Sequence, residues 1–369
     1  MNTQNQELVR IGITHGDFNG IGYEIIIKTL ADKRTLEMFT PIVYGSSKIA
    51  SYYRKALDLD DINFNLVKKA DFANPRRVNI VNVFNDEVKI EVGKLSPVAG
   101  NLAVLALDRV IEDINWGKID VLVTGPINKS NIQSENFKFK GHTDYLASKF
   151  NVENFLMLMV SGNLRVGMVT EHIPLKDIPS KITKERILQK IRVMSQSLQK
   201  DFGIRKPKIA VLGLNPHAGD NGLIGTEEQE IIQPAIEVAN QEGILTFGPY
   251  PSDGFFGSSN FRKFDGILAM YHDQGMLPFK TLGFDNGVNF TAGLPIVRTS
   301  PAHGTAFGIA GKNEASPDSF REAIYMAIDI FNNRKEFEEI SKNPLQPQEE
   351  PQFENQKDRR PAHRENQGQ

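Results

Sequence analysis

Asp265-Gly-Ile-Leu-Ala-Met-Tyr-His-Asp-Gln-Gly275 carries a short apolar stretch straight into a polar cluster closed by glycine. Residues 267–271 are apolar at every position, the pattern of a strand covered on both faces in a parallel α/β sheet. Ligands of open α/β sheets collect beyond the carboxyl ends of the strands, which puts His272 and Asp273 where a site would form. The arrangement recurs twice. Residues 164–170 form an apolar strand ahead of Glu171-His172, and residues 208–214 form another ahead of Asn215-Pro216-His217. A parallel sheet gathers such exits, so one shared site is expected for His172, His217 and His272.

The bulk properties fit a small-molecule enzyme. With 369 residues the chain accommodates two α/β domains, each with its own core. Lys+Arg 43 against Asp+Glu 45 leaves a formal charge of −2, so neither nucleic acid nor an anionic membrane is an expected partner. The absence of cysteine removes disulfides, thiolate catalysis, iron–sulfur clusters and cysteine-bound zinc. The first eight residues lack the basic start and apolar core of a signal peptide, and no apolar run approaches the ~18 residues of a membrane span. A cytoplasmic protein is expected.

Along the chain, residues 9–14 read as a strand and His15-Gly-Asp-Phe-Asn-Gly-Ile-Gly22 as a glycine-rich turn into a helix over 23–30. Such a turn can present backbone N–H groups to an anion; its spacing is not the Gly-x-Gly-x-x-Gly of a dinucleotide fingerprint, and a tight turn without a ligand is the alternative. Strands are expected at 41–45, 78–84 and 120–124, and amphipathic helices at 48–56, 99–116 and 183–202. Thr226-x-x-Gln229 resembles a capping box opening a helix to about residue 240. Ser316 and Pro317 start a last helix. Residues 344–369, rich in Gln, Glu, Pro, Asn and Arg, bury too little apolar surface to offset the entropy of ordering and read as a disordered tail.

Any single histidine here could be a hydrogen-bonded loop residue, since no short motif such as His-Glu-x-x-His ties them together. Their shared placement favours a site. Three imidazoles with an open position suit catalytic zinc, whereas all-oxygen sites favour magnesium. Asp253 and Asp273 are further ligands or carboxylates that orient the rings. His142 and Thr143, in Gly141-His-Thr-Asp144, sit near a helix start, where Thr143 could serve only as an N-cap and His142 lie on the surface. Together with Lys280, Asn289 and Arg298 they supply groups suited to phosphate or carboxylate.

Thr-Gly-Pro-Ile-Asn-Lys129, Gly-His-Thr-Asp144, Leu-Asn-Pro-His-Ala-Gly219, Tyr-His-Asp-Gln-Gly275 and Arg-Thr-Ser-x-x-His-Gly-Thr-Ala306 together resemble the 4-hydroxythreonine-4-phosphate dehydrogenase family of vitamin B6 biosynthesis, over about residues 9–330. The resemblance implies a homodimer with a two-domain isocitrate/isopropylmalate dehydrogenase-like α/β fold and an interdomain active site drawing on both subunits. The division expected is a discontinuous first domain (residues 1–129 plus 299–343), a second domain (130–298) and the tail (344–369). The family's divalent-metal ligands fall on His172, His217 and His272, with zinc the first choice and magnesium or cobalt the alternatives. Its substrate positions fall on His142, Thr143, Lys280, Asn289 and Arg298. The loop of residues 303–313, with His303, Gly304, Thr305 and Asn313, resembles the adenosine-binding loop of the wider superfamily.

The activity so implied is oxidation of 4-phosphooxy-L-threonine by NAD or NADP, then decarboxylation, with Asp253 and His142 as candidates for the general base. Two stretches depart from the family. Phe18-Asn19 replaces Pro-Ala in the glycine-rich turn, and Gly308 stands where related loops carry an Asp that binds the ribose of NAD. Three other functions compete: a sister dehydrogenase of a 4-phosphorylated sugar acid such as 4-phospho-threonate or 4-phospho-erythronate, a phosphate acyltransferase on a related fold, and a catalytically silent binding protein.

Overall fold

The structure is a computed structural model that describes residues 8–84, 87–133, 137–139 and 141–343. The tail from Pro344, and the first seven residues on which the signal-peptide reading rests, lie outside the described residues.

In chain order the elements are β1 (Val9–Thr14), α1 (Gly22–Leu30), β2 (Phe39–Gly45), α2 (Ser47–Ala56), β3 (Phe64–Val67), β4 (Val78–Asn82), α3 (Pro97–Asn115), β5 (Val121–Thr124), α4 (His142–Lys149), β6 (Leu156–Ser161) and β7 (Leu164–Met168). They continue with α5 (Lys184–Lys200), β8 (Lys208–Leu212), α6 (Gln233–Gln241), β9 (Leu245–Tyr250), α7 (Ser252–Gly257), β10 (Gly266–Ala269), α8 (His272–Gly283), β11 (Val288–Ala292), β12 (Val297–Pro301) and α9 (Asp318–Ser341). The strands form one sheet in the order β3-β4-β2-β1-β5-β12-β11-β6-β7-β10-β8-β9. Strands β2, β5, β10 and β12 are buried at every residue, as strands covered on both faces are; β2, β5 and β10 are largely apolar, whereas β12 carries the buried Arg298. Close packing leaves its mark at Gly12, where a Cβ would come within 2.5 Å of Val110 on α3.

The sheet is mixed, whereas the apolar runs alone point to parallel pairing. β11 pairs antiparallel with both β12 and β6, and β6 pairs antiparallel with β7. The parallel group β7-β10-β8-β9 therefore runs opposite to the group β4-β2-β1-β5-β12. Strand β6, Leu-Met-Leu-Met-Val-Ser, is not among the expected strands. It is buried throughout apart from its last residue, and a run of Leu and Met does not distinguish strand from helix.

Two local expectations also change. The Thr226/Gln229 capping box does not form: no side chain caps this helix, which opens as a π-turn over Glu228–Ile232 before α6. Pro234 lacks an N–H for the ordinary i→i−4 bond, and the N–H of Gln233 reaches the carbonyl of Glu228 instead. Thr143 is not an N-cap either, because α4 already begins at His142.

Candidate active site

A cleft of about 280 Å³ is lined from both antiparallel-related halves of the sheet. The loop after β5 supplies Lys129, the start of α4 supplies His142 and Thr143, the exit of β7 supplies Glu171 and His172, β11 and β12 supply Asn289 and Arg298, and the following loop supplies His303 and Gly304.

Arg298 dominates the chemistry of this cleft. Its side chain is 2 % exposed, and its Nη2 donates to Thr124 Oγ1 at 2.7 Å and to His142 Nδ1 at 3.2 Å. It has no carboxylate partner among the described residues, and its Nε has no hydrogen-bond acceptor. Burial lowers its pKa to about 9, which leaves it cationic at neutral pH. A buried charge without an anion is costly unless something pairs with it. The cleft also holds two unsatisfied buried atoms, Asn289 Oδ1 and His303 Nε2. Thr143 Oγ1 lies 3.4 Å from Thr291 Oγ1, which also accepts from Arg298 Nη1 at 3.4 Å. Four of the five expected substrate positions, His142, Thr143, Asn289 and Arg298, thus share one cavity. Lys280, exposed near the end of α8, does not line it.

The three histidines follow adjacent strands. β10 lies between β7 and β8 and is parallel to both, so His172, His272 and His217 leave the sheet at one edge. His172 and His272 face each other with ring centroids 5.7 Å apart. His217 does not complete a trio: among the described residues no three His, Asp or Glu side chains stand close enough to hold a metal ion. The imidazole donors suit zinc in kind. His172 Nε2 accepts a hydrogen bond from Lys129 Nζ at 2.9 Å, so a cation already sits on one of the nitrogens a metal would use. Asp273 Oδ1 accepts from His272 Nδ1 at 2.6 Å, the contact an orienting carboxylate would make. Asp253 is exposed on α7 and is not in the cleft wall.

His217 sits in an unusual turn. Residues 217–221 all have positive φ, from 44° to 80°, and only Gly219 among them is glycine. Left-handed backbone disfavours His217 and Ala218 by roughly 1–2 kcal/mol each, and Asp220 and Asn221 tolerate it better, so the conformation at His217 and Ala218 calls for support from outside the turn.

The loop of residues 303–313 leans on the glycine-rich turn and α1. Ile21 N donates to Thr305 O at 3.1 Å, while Lys28 Nζ donates to Asn313 O at 3.1 Å and Ala315 O at 2.8 Å. The turn itself is buried and its N–H groups are engaged: Asp17 N bonds Pro126 O, Asn19 N bonds Asp17 Oδ1, and Gly20 N bonds Asp17 O. Those bonds make it a brace between the loop after β5 and the loop of residues 303–313.

Sequence reasoning passed over Lys129, Glu171 and Asp144. Burial lowers the pKa of Lys129 and raises that of Glu171, and Lys190 and Lys129 on one side and Asp144 on the other enter the balance. The available signal was Lys129 itself, which closes the quoted Thr-Gly-Pro-Ile-Asn-Lys stretch directly after an apolar strand.

Residues 37–327 match the family model described as "Pyridoxal phosphate biosynthetic protein PdxA". The chain is 55% identical, over 92% of its length and 93% of the relative's, to a protein of Bacteroides thetaiotaomicron named 4-hydroxythreonine-4-phosphate dehydrogenase. It is 42% identical to an Oceanobacillus iheyensis protein named "Putative D-threonate 4-phosphate dehydrogenase", over 87% of this chain and 97% of that one. The crystal structure of 4-hydroxythreonine-4-phosphate dehydrogenase from Klebsiella pneumoniae superposes with a TM-score of 0.74 at 33% identity, covering 88% of this chain and 99% of that chain.

Proposed function

The chain belongs to the pyridoxal phosphate biosynthetic protein PdxA family, and from that premise we propose that it oxidises 4-phosphooxy-L-threonine with a nicotinamide cofactor in a metal-dependent reaction. The observation that carries this reading is Arg298, a buried cation without an anionic partner in a cleft with unsatisfied polar atoms. A phosphorylated substrate supplies the missing charge.

A nicotinamide held by the loop of residues 303–313 would supply the hydride acceptor, and a metal held by His172 and His272 would supply Lewis acidity at the alcohol oxygen. The oxidation removes one hydride and one proton, and the β-keto acid formed loses carbon dioxide to give 3-amino-2-oxopropyl phosphate. Arg298 and Asn289 hold the anionic end of the substrate, and Thr143 contributes a hydroxyl beside it. His142 is kept neutral, first by burial and then by the charges of Arg298 and Lys129. A neutral ring accepting from Arg298 at Nδ1 carries its proton on Nε2, so it orients substrate as a donor there. His172 and His272 hold the metal, with Asp273 fixing the second ring. The loop of residues 303–313 holds the adenosine end of NAD or NADP.

His217 completes the ligand set through a second copy of the chain. Large apolar side chains stand exposed just beyond each of the three histidines: Leu175 after His172, Leu223 and Ile224 after His217, and Leu277, Leu282 and Phe284 after His272. A homodimer that buries them would bring the histidines of two chains together. No helix among the described residues is long and apolar enough to cross a membrane, in keeping with a cytoplasmic enzyme.

A second reading has its own support in the relative named for D-threonate 4-phosphate. Purified protein with zinc, or cobalt or magnesium, is to be assayed with NAD and with NADP against 4-phosphooxy-L-threonine and against 4-phosphorylated threonate and erythronate. Reduced cofactor with the amino acid is the expected result. Reduction with a sugar acid alone would replace this function with that of the sister enzyme.

A further inference from the structure

We infer that Glu228 is a positioning residue: its carboxylate holds the left-handed turn of residues 217–221 and thereby fixes where His217 stands. The last step, from His217 to a metal, rests on the function proposed above; the bracing of the turn does not.

Glu228 is 3 % exposed and reaches back across the loop to the exit of β8. Its Oε1 accepts from the backbone N–H of both Leu214 and Asn215 at 2.7 Å, and its Oε2 accepts from Asn215 Nδ2 at 3.0 Å. Glu227 Oε2 takes the same Asn215 amide at 2.7 Å. No Lys or Arg pairs with Glu228 among the described residues, so backbone and amide donors supply its hydrogen bonds.

The turn closes tightly on this carboxylate, with glycines at the points of nearest approach. A Cβ on Gly219 would lie 2.6 Å from Glu228 Oε2, and one on Gly213 would lie 3.1 Å from Oε1 and 3.0 Å from Ala218. Ala218 N bonds Asn215 O at 3.1 Å, so the start of the left-handed turn hangs from a residue that Glu228 holds, and Ile224 N closes back on Gly219 O at 3.0 Å. Glu228 is also the first residue of the π-turn that Pro234 forces, a local widening of a kind that recurs at functional sites. A buried carboxylate pinning the two residues immediately before Pro216-His217 is the outside constraint that the strained turn requires.

The test uses the full chain with Glu228→Ala, Glu228→Gln, Glu228→Asp, His217→Ala and the Glu228→Ala/His217→Ala double variant. Amide hydrogen exchange is followed in residues 213–224, and zinc affinity is measured by chelator competition. Glu228→Ala is expected to speed exchange in residues 213–224 while β8 and α6 keep their protection, and to weaken zinc binding by about tenfold or more. Glu228→Gln keeps an oxygen for the two backbone N–H groups and should recover most of both losses. Glu228→Asp withdraws the charge by one methylene and should shift exchange in the same direction by less, which serves if the alanine variant does not fold. In the His217→Ala background the alanine change should have no further effect on zinc.

Unchanged exchange in residues 213–224 overturns the inference. So does an equal loss of zinc affinity with His217 already removed. Wild-type protein that binds no zinc, or His217→Ala protein that binds it normally, defeats the metal reading instead, and faster exchange in Glu228→Ala then still supports the brace.

Discussion

Arg298 Nη2 lies 3.2 Å from His142 Nδ1 with both side chains buried, so a permanent cation donates to a ring that must be neutral to accept. The pair makes sense only with an anion nearby. Replacing Arg298 by Met, similar in length and apolar, removes a buried charge that no carboxylate balances. Losing the bond to Thr124 costs about 1 kcal/mol, and relief of the unpaired charge offsets it. The melting temperature should therefore hold or rise, while KM for the phosphorylated substrate rises by about 100-fold, the equivalent of one lost charge-assisted contact of roughly 3 kcal/mol. Thermal-shift curves with and without inorganic phosphate check it. A strongly destabilised variant that is still stabilised by phosphate would show that Arg298 is structural.

Acid should expose the buried histidines. His15 is fully buried and stacks on Tyr23 at 5.4 Å, and neither ring nitrogen has a well-formed hydrogen bond among the described residues. Burial pulls its pKa down to about 4, softened only a little by the nearby backbone of Gly16 and Leu102. A folded-state pKa below the unfolded value of 6.5 means that the unfolded chain takes up the proton first. The contribution is therefore complete above pH 6.5 and is lost as pH falls through the window down to about 4, by roughly 1.4 kcal/mol per pH unit. His142 is depressed by the same cause and adds to the slope. Urea midpoints of His15→Leu measured from pH 7 to 4 should fall less steeply than those of the wild type. Comparing slopes removes the cost of repacking, and identical slopes would show that His15 does not titrate on unfolding.

The strands that carry the site were readable because burial on both faces leaves largely apolar runs: residues 9–14 coincide with β1, and the runs at 164–170, 208–214 and 267–271 match β7, β8 and β10 to within a few residues. Helix α5 was equally plain, with Thr183 as its cap and Ile187, Ile191, Met194 and Leu198 on its buried face. What could not be read was anything set by pairing partners. Whether β11 runs with or against β12 depends on tertiary packing, and nothing within Val288–Ala292 encodes it. The left-handed turn at His217 was hidden because four of its five residues are not glycine, and its cause, Glu228, lies eleven residues away behind a proline-induced π-turn. Arg298 and His142 could be listed from the sequence as site residues, but the absence of a carboxylate beside them is a property of the packed cleft.

The contact between Gly20 and Thr305 predicts a cofactor defect at a distance. A Cβ on Gly20 would lie 2.7 Å from Thr305 O and 3.0 Å from Thr305 Cβ, inside the loop expected to hold the adenosine. Backbone cannot yield as a flexible side chain can, so Gly20→Ala should displace the loop at a cost of about 1–3 kcal/mol. KM for the nicotinamide should increase by roughly tenfold or more while KM for the phosphorylated substrate, whose proposed contacts are Arg298 and Asn289, changes little. Steady-state kinetics with each substrate varied in turn separate the two. An equal rise in both would point to general destabilisation.

Gly308 offers the complementary experiment, because here space is free where Gly20 is crowded. A Cβ on Gly308 would meet nothing within 4 Å, and the residue is exposed in the loop that Ile21 and Lys28 tie to the rest of the fold. Its φ lies outside the left-handed region, so a side chain brings no backbone strain. Gly308→Asp should therefore fold with an unchanged melting temperature. Related loops place an Asp at this position, and a carboxylate there accepts hydrogen bonds from the adenosine ribose hydroxyls of NAD while repelling the 2′-phosphate of NADP. The ratio of kcat/KM for NAD to that for NADP should rise by about tenfold or more, one good charge-assisted hydrogen bond being worth roughly 1.5–3 kcal/mol. The change should sit in KM for the cofactor, with kcat nearly constant, because the carboxylate lies at the adenosine end and touches no reacting atom. A ratio that stays fixed would mean that the loop of residues 303–313 does not hold the ribose in this chain, and would remove His303, Gly304, Thr305 and Asn313 from the cofactor site together.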